Sequence, residues 1–412
     1  MLKLNSIPSD VFAVVNDKDV VVNSNGTNIS RNEIVSTGRL LTVERVGKII
    51  NNRKLNPDKY ESRLPEMGVD YATLSKKHGE KAFLFAATQA YKVLGKDAPT
   101  LDEAKSDPSL RTNSVFINTL AAIAQDVITP ITFHIFDDIS ANGLMEWRPV
   151  ALGETTEFTI RSNDVLLFED TAPGSAHSLP MTTFYAKSIP VIAKRYGAAV
   201  RLKFYQTYIN GDPADVYVAI INGMWSKIYA LFISALTSAA GNTAYVPTAL
   251  TAATYSTTNW LTICQNVAIA NGVNLGDLIA FGEITALSQV LPVDGTGGAI
   301  TGLQYGLGEE WFKNGYLQRA GQVDLVATLP VLVPGTQNSS FATLGFGSDI
   351  YIAAKGRRAP IAGVYANNSP ITLVADATKT ADETVDINIT AWMNVVPLFA
   401  QKIGKISSVY AS

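Results

Sequence analysis

Hydrophobic positions recur at helical spacing in the first third of the chain and at strand spacing through much of the rest. Ser30 to Asn52 and Gly79 to Leu94 carry apolar residues every three to four positions and predict two amphipathic helices, whereas the polar stretch Leu101 to Pro108 predicts a linker leading to a third helix, Asn113 to Ile128. From Leu144 to Phe204 the period falls to two. Thr155-Thr-Glu-Phe-Thr-Ile-Arg, Thr182-Thr-Phe-Tyr-Ala-Lys-Ser-Ile and Val200-Arg-Leu-Lys-Phe alternate, and the turn residues of Glu169 to Pro180 lie among them, which predicts a long two-stranded excursion. An isolated two-stranded ribbon is marginal in water, so such an arm needs another chain or domain to lie on.

Gly211-Asp212-Pro213 then supplies an N-cap and a proline at the first helical position, with Asp215 at the positive end of the helix dipole. Behind it Asn222, Ser226, Ala230 and Ser234 form a narrow small or polar stripe, and Tyr217, Ile221, Trp225, Phe232 and Leu236 are among the apolar residues around it, so the spacing predicts a long helix buried on most sides. Val216 to Leu236 has the length of a bilayer span. Lys227 sits in its middle, where a charge costs about 2.5 to 3.5 kcal/mol on insertion scales, and no basic cluster flanks it, so a core helix is expected and not a membrane span. Further on, Thr237 to Thr258 predicts a loop and Asn259 to Gly272 a helix ended by Asn-Gly. A strand near Asp277 to Phe281, a short helix from Glu283 to Leu291 and a break at Gly295-Thr-Gly-Gly298 follow. Val323 to Leu329, Asp349 to Ala354, Pro370 to Ala375 and Val385 to Trp392 read as strands, with turns at Pro334-Gly335 and Lys355-Gly356.

Composition sharpens this picture. Over 412 residues the hydrophobic fraction is 47% and the charged fraction 17%, which excludes global disorder and suggests surface hidden by partners. Residues 228 to 276 contain no Asp, Glu, Lys, Arg or His. With 33 Lys+Arg against 36 Asp+Glu the net charge is −3, too weak a field to argue for a polyanion partner, although residues 31 to 81 hold 11 basic and 7 acidic residues, a local +4. Cys264 is the one cysteine, which rules out an intramolecular disulfide and fits a reducing compartment. The first ten residues lack the apolar core of a secretory signal.

The chemistry expected of an enzyme does not assemble. There is no GxxxxGK[ST] phosphate loop and no GxSxG elbow, and the glycines at 295, 297, 298 and 302 lack dinucleotide-binding spacing. His78, His134 and His177 lie far apart, and the adjacent acids Asp137-Asp138, Glu309-Glu310 and Asp382-Glu383 point apart on regular elements. No catalytic, cofactor or metal residues are therefore assigned. Lys76, Lys77 and Lys81 at the start of the second helix, and Arg357-Arg358 in a turn, are the candidate DNA-facing or interface residues, with an ordinary solvated face as the competing reading.

The element order resembles the major capsid proteins of tailed bacteriophages, the Hong Kong 97-type fold. It comprises the leading helix NSVFINTLAAIAQDVI, a long two-stranded arm, a long helix capped by Gly211-Asp-Pro213, an α/β unit, and a closing strand group, Trp392-Met-Asn-Val-Val-Pro to Ile403-Gly-Lys-Ile. The resemblance implies an α+β chain organised as an N-terminal extension (1–110), N-arm and first peripheral strands (111–149) and extended loop (150–204). A spine helix (205–239), an axial domain (240–375) and returning peripheral strands (376–412) complete it. It implies a non-enzymatic structural subunit assembling as hexamers and pentamers around packaged double-stranded DNA. Portal and possible scaffolding or decoration proteins would be its partners, without a cofactor or membrane, in a virion capsid built in the bacterial cytoplasm. An encapsulin-like compartment or a phage tail or adhesion protein are the alternatives. The arm's tip, Glu169 to Pro180, has no lysine, so the covalent cross-linking of some family members is not expected.

Overall fold

In a computed structural model the described residues are 20–22, 26, 28–53, 70–141, 145–161, 186–203, 206–241, 246–290, 314–328, 330–333, 336, 339–355, 361–367, 371–376, 385–398 and 402–407. The turns at Gly295 to Gly298 and Pro334-Gly335 and the arm tip at Glu169 to Pro180 lie outside them, as do Arg357 and Arg358. Mixed helix and strand is the result, as expected. The first half runs β1 (Val20–Val22), β2 (Asn28–Ser30), α1 (Arg31–Arg53), α2 (Tyr71–Val93), α3 (Leu101–Ser106), α4 (Ser114–Ala141), β3 (Glu146–Val150), β4 (Thr155–Arg161), β5 (Ala186–Ile192), β6 (Lys194–Leu202) and α5 (Pro213–Gly241). The second runs β7 (Thr251–Ala252), α6 (Thr257–Asn271), β8 (Leu278–Gly282), α7 (Ile284–Leu287), β9 (Arg319–Ala320), β10 (Val323–Ala327), β11 (Val331–Leu332), β12 (Thr343–Leu344), β13 (Ile350–Ala354), β14 (Ile361–Ala366), β15 (Ile371–Asp376), β16 (Val385–Pro397) and β17 (Gly404–Ile406). Two compact units result, one from residues 1–139, 194–227 and 365–393, the other from 140–193, 228–364 and 394–412.

In the first unit, helices α1, α2 and α4 pack tightly. A Cβ on Gly38 of α1 would stand 2.8 Å from Val127 Cγ2 and 2.9 Å from His78 Cε1, so only a bare backbone fits between the two helices. Phe83 of α2 meets Phe116 of α4 edge to face at 5.0 Å. Helix α4 is longer than its sequence suggests, because it passes through Pro130 and continues to Ala141. A proline cannot donate to the carbonyl four residues back, which here is that of Asp126. Arg39 of α1 fills the gap: its Nε and Nη2 donate to the Asp126 carbonyl at 3.1 and 2.8 Å. The helix therefore survives its proline because a neighbouring guanidinium satisfies the freed acceptor. Strand β16 completes the unit, paired antiparallel with β6 from Val385↔Leu202 to Met393↔Lys194 and with β15 on its other side. Arg201 clamps Asp386 across the β6–β16 pair with two bonds, of 2.7 and 3.0 Å.

The second unit is built on a six-stranded sheet in the order β7-β17-β13-β8-β10-β9, parallel at β7/β17 and β8/β10 and antiparallel elsewhere. Strands β8 and β13 are buried at every residue, so they show no alternation. Helix α6 lies on this sheet through Trp260, Ile263, Cys264, Val267 and Ala268. Its contact is closest at Gly404, whose added Cβ would meet Val267 Cγ2 at 2.6 Å and Ile263 Cγ2 at 2.8 Å. It ends as expected at Asn271, with Gly272 in the left-handed conformation at φ 60°.

Two expectations need correction. Leu101 to Ser106 is a helix and not a linker, because Thr100 and Glu103 form a reciprocal capping box that starts it despite its polar character. On α5 Ser234 of the expected stripe is exposed, whereas Asn222, Ser226 and Ala230 are half-buried and the exposed positions of the first half are Asp215, Ala219, Gly223 and Lys227; Trp225 is half-buried, while Tyr217, Ile221, Phe232 and Leu236 are core.

Candidate functional site

The strands β4 and β5 form the predicted ribbon, in register from Thr155↔Ile192 to Arg161↔Ala186. Among the described residues they pair only with one another. The strand expected at Val200 to Phe204 belongs elsewhere: β6 turns away after Ala193 and pairs with β16. The ribbon's root is built on β3, where the Arg148 guanidinium lies 4.4 Å from the centroid of the Phe158 ring. Arg148 Nη1 also donates to the Glu157 carbonyl at 3.1 Å, and Glu146 holds the guanidinium from behind at 2.6 to 2.8 Å. Ser188 donates to Glu157 across the hairpin at 2.6 Å, and the amide of Asn394, itself buried, donates to the Ile192 carbonyl at 2.9 Å. At this root Leu152, in the turn before β4, is 52% and Ile192 51% exposed. It is a two-stranded ribbon with a braced root.

The second site is a polar hub in the first unit. Asp212 caps α5 as predicted, its Oδ1 accepting from the Ala214 amide at 3.0 Å. The same carboxylate also accepts from Ser75 Oγ (2.6 Å), the Tyr71 hydroxyl (2.9 Å) and Arg45 Nη1 (2.6 Å), which ties α1 and α2 to the start of α5. Burial raises the Tyr71 phenol to about 12 despite its bond with Arg45. Next to it lies His78, 1% exposed and edge-on to Tyr217, whose hydroxyl sits 3.5 Å from its Nε2 and 3.3 Å from the Tyr208 hydroxyl. Desolvation lowers His78 to about 4, overriding the opposite pull of the Asp212 charge, so the ring is neutral at pH 7. Nothing in the sequence linked these groups, because 137 to 167 residues separate Asp212 from Ser75 and Arg45.

The hub changes the meaning of the basic N-terminal segment. Arg31 pairs with Asp126 at 2.6 Å, Arg39 is buried on the Asp126 carbonyl, and Arg45 bridges Asp212 and Asp215 at 2.6 and 2.5 Å. Lys81 pairs with Glu33, and Lys76 and Lys77 are exposed on α2. The three lysines share one helix, and the Arg357-Arg358 pair lies outside the described residues. Among the described residues no three His, Cys, Asp or Glu side chains gather as a metal ion would require. The thiol of Cys264, buried against the sheet, is pushed up to about 12.

No protein-family model matches the chain, and no curated protein does. Solved structures similar to it include phage and GTA capsids and an encapsulin complex. The capsid of the cyanophage P-SCSP1u shares 11% identity over 64% of this chain and 86% of that one, with a TM-score of 0.44. The capsid of a native GTA particle shares 13% over 64% and 87%, with a TM-score of 0.43. The SrpI encapsulin of Synechococcus elongatus PCC 7942 shares 10% over 65% and 85%, with a TM-score of 0.39.

Proposed function

We propose that the chain is the structural subunit of an icosahedral phage head, assembling as hexamers and pentamers that enclose double-stranded DNA. The β4–β5 ribbon carries this reading. It has a braced root with exposed apolar residues at its base, and no third strand joins it among the described residues, which is the form of an arm that is completed by a neighbour. The charge-free stretch from 228 to 276 fits the same role, since surface that becomes buried between copies is depleted of charge. Within it the ribbon is the extended loop, α5 the spine, the six-stranded unit the axial domain, and residues 1–110 an N-terminal extension whose helices α1 and α2 are tied to α4 and to the start of α5. Lys76, Lys77 and Lys81, with Arg357 and Arg358, are the basic residues available to DNA or a neighbouring subunit; counterion release makes such contacts salt-dependent. Portal, scaffolding or decoration proteins would be further partners, and assembly would take place in the host cytoplasm. The test is light scattering and negative-stain microscopy of the expressed chain, alone and with residues 169–180 shortened. Closed particles from the full chain, and a folded but poorly assembling shortened chain, are expected. A stable 44.2 kDa monomer at high concentration overturns the proposal.

A further inference from the structure

Between Asp170 and Asp212 the chain carries Lys187, Lys194, Arg195, Arg201 and Lys203 and no Asp or Glu. All but Lys187 fall on or beside β6, an edge strand that among the described residues pairs only with β16. An edge needs charge to keep other strands off, but either sign would serve, so gatekeeping leaves the uniform sign unexplained. The cations are also spare. Arg31, Arg39, Arg45, Arg148, Arg201 and Arg319 are each held by a carboxylate or a carbonyl. Arg195, the remaining arginine whose side chain is described, is exposed and has no partner among the described residues, and the same holds for Lys194 and Lys203.

The edge has the form that a long, stiff polyanion requires. From Lys194 to Lys203 it spans roughly 30 Å at about 3.4 Å per residue. Its cations stand at the two ends, and its middle, Gly197-Ala198-Ala199, is exposed with no side chain larger than a methyl, so nothing holds an approaching surface away. By strand alternation Arg195, Arg201 and Lys203 share one sheet face and Lys194 and Tyr196 the other. On that second face Lys227 of α5 adds a further exposed cation, its Nζ 4.6 Å from the Tyr196 ring centroid. The acids of the sheet lie farther in: Asp386 on β16 is clamped by Arg201, and Asp376 on β15 is opposite Asp386. On α2 the charges are mixed, since Glu80 lies within a turn of Lys76 and Lys77 and Glu33 takes Lys81. We propose that the outer edge of β6, through Lys194, Arg195, Lys203 and Lys227, is a binding site for the phosphate backbone of double-stranded DNA. A duplex carries one charge per about 1.7 Å of axis, and roughly 30 Å of contact covers about nine base pairs, so binding follows charge and salt and not base sequence. The inference rests on the shell reading for the source of the DNA, and it adds to the lysines of α2 a DNA-facing element on the sheet of the first unit.

Fluorescence anisotropy of a labelled mixed-sequence duplex of about 30 base pairs, titrated with the full chain over a range of salt, tests it. The triple variant Lys194→Gln, Arg195→Gln, Lys203→Gln should bind more weakly, with the slope of log affinity on log salt reduced by about 2 to 3, since each phosphate contact contributes about 0.9. Arg195→Lys alone should keep the slope, and Lys76→Gln with Lys77→Gln should change it by less than the triple variant does. Lysine acetylation of the unaltered chain, with and without the duplex, gives a second reading that needs no variant: Lys194 and Lys203 should be shielded and Lys92 should not. No binding by the unaltered chain at about 50 mM salt, an unchanged slope in the triple variant, or full acetylation of Lys194 and Lys203 in the complex overturns the site. A triple variant that binds DNA normally but no longer forms particles assigns the edge to a neighbouring subunit and refutes the DNA site while the shell reading stands. Absence of particles from the unaltered chain overturns the shell reading, and the titration still decides whether the edge binds a duplex.

Discussion

If Arg39 is what allows α4 to run through Pro130, its removal should hurt only while the proline is there. Arg39→Ala takes away a guanidinium that is 7% exposed and makes two bonds of 3.1 and 2.8 Å to the Asp126 carbonyl. Hydrogen bonds from a charged donor contribute about 1.5 to 3 kcal/mol, and a buried acceptor left unmade costs about 1 to 3 kcal/mol, so a loss of about 3 kcal/mol is expected. Pro130→Ala restores an amide four residues after Asp126, so in that background the carbonyl has its own helical donor and Arg39→Ala should cost about 1 kcal/mol, mainly lost packing of the arginine stem. The assay is amide hydrogen exchange across α1 and α4 in the four chains of the cycle, with α6 in the other unit as an internal reference. At about 1.4 kcal/mol per decade, the difference between backgrounds is more than tenfold in exchange rate. Additivity within about 0.5 kcal/mol would refute the reasoning, since uncoupled sites add to that precision.

Asp212→Ala strands donors on α1 and α2 and removes the cap of α5, so α2 should lose about 3 to 5 kcal/mol of protection, whereas Asp215→Ala, at a 55% exposed carboxylate, should cost under about 1 kcal/mol. His78 is held at about 4 against an ordinary 6.5, so the folded state binds fewer protons than the unfolded one below 6.5. Stability should be full above that pH and fall by about 3 kcal/mol as pH drops to 4, a dependence that urea titrations of His78→Gln should lack. Phe232→Ala should lower the melting temperature far more than Trp225→Ala, because Phe232 is 4% exposed and packs on Phe281 and Phe346 while Trp225 is half-buried; about 3 to 5 kcal/mol is expected for the first. Gly404→Ala should destabilise by about 1 to 3 kcal/mol by pressing on Val267 and Ile263, seen as a lower urea midpoint.

What the sequence made legible was local. Asp212 and Pro213 announced the start of α5, and Asn271-Gly272 the end of α6, because caps are written in adjacent residues. Strands β10, β13, β15 and β16 each begin within a residue of their expected start, and the ribbon was readable from its period. Strand β14, IAGVYA, was not: like β13 it is buried at every residue and has no alternation, and its Ala-Gly interior lacks the isoleucine pair that marked β13. The box of Thr100 and Glu103 was present in the sequence and outweighed by the polarity around it. The helix expected to end at Ile128 runs on to Ala141, because the guanidinium that compensates Pro130 is 87 residues away and leaves no local signal. The hub at Asp212 was invisible for the same reason: long-range partners leave no spacing to read. The basic segment's charge was visible, but not that Arg31, Arg39 and Arg45 are occupied within the chain.

The distance between Arg45 and Asp212 also sets a clock. A ribosome adds about 5 to 20 residues per second, so the 167 positions between them take roughly 8 to 33 seconds to synthesise. The helix α2 is finished at Val93, 119 residues before the carboxylate that secures it (212 − 93), and β6 waits longer still, since 185 residues separate Arg201 from Asp386. Apolar faces of the first unit are thus exposed on a nascent chain for far longer than a helix needs to form. A chain crowded on polysomes is in most danger of joining other copies through those faces during those seconds. Its soluble yield in a cell should therefore rise when general chaperones are co-expressed to cover the helices of residues 31 to 141 before residue 212 emerges.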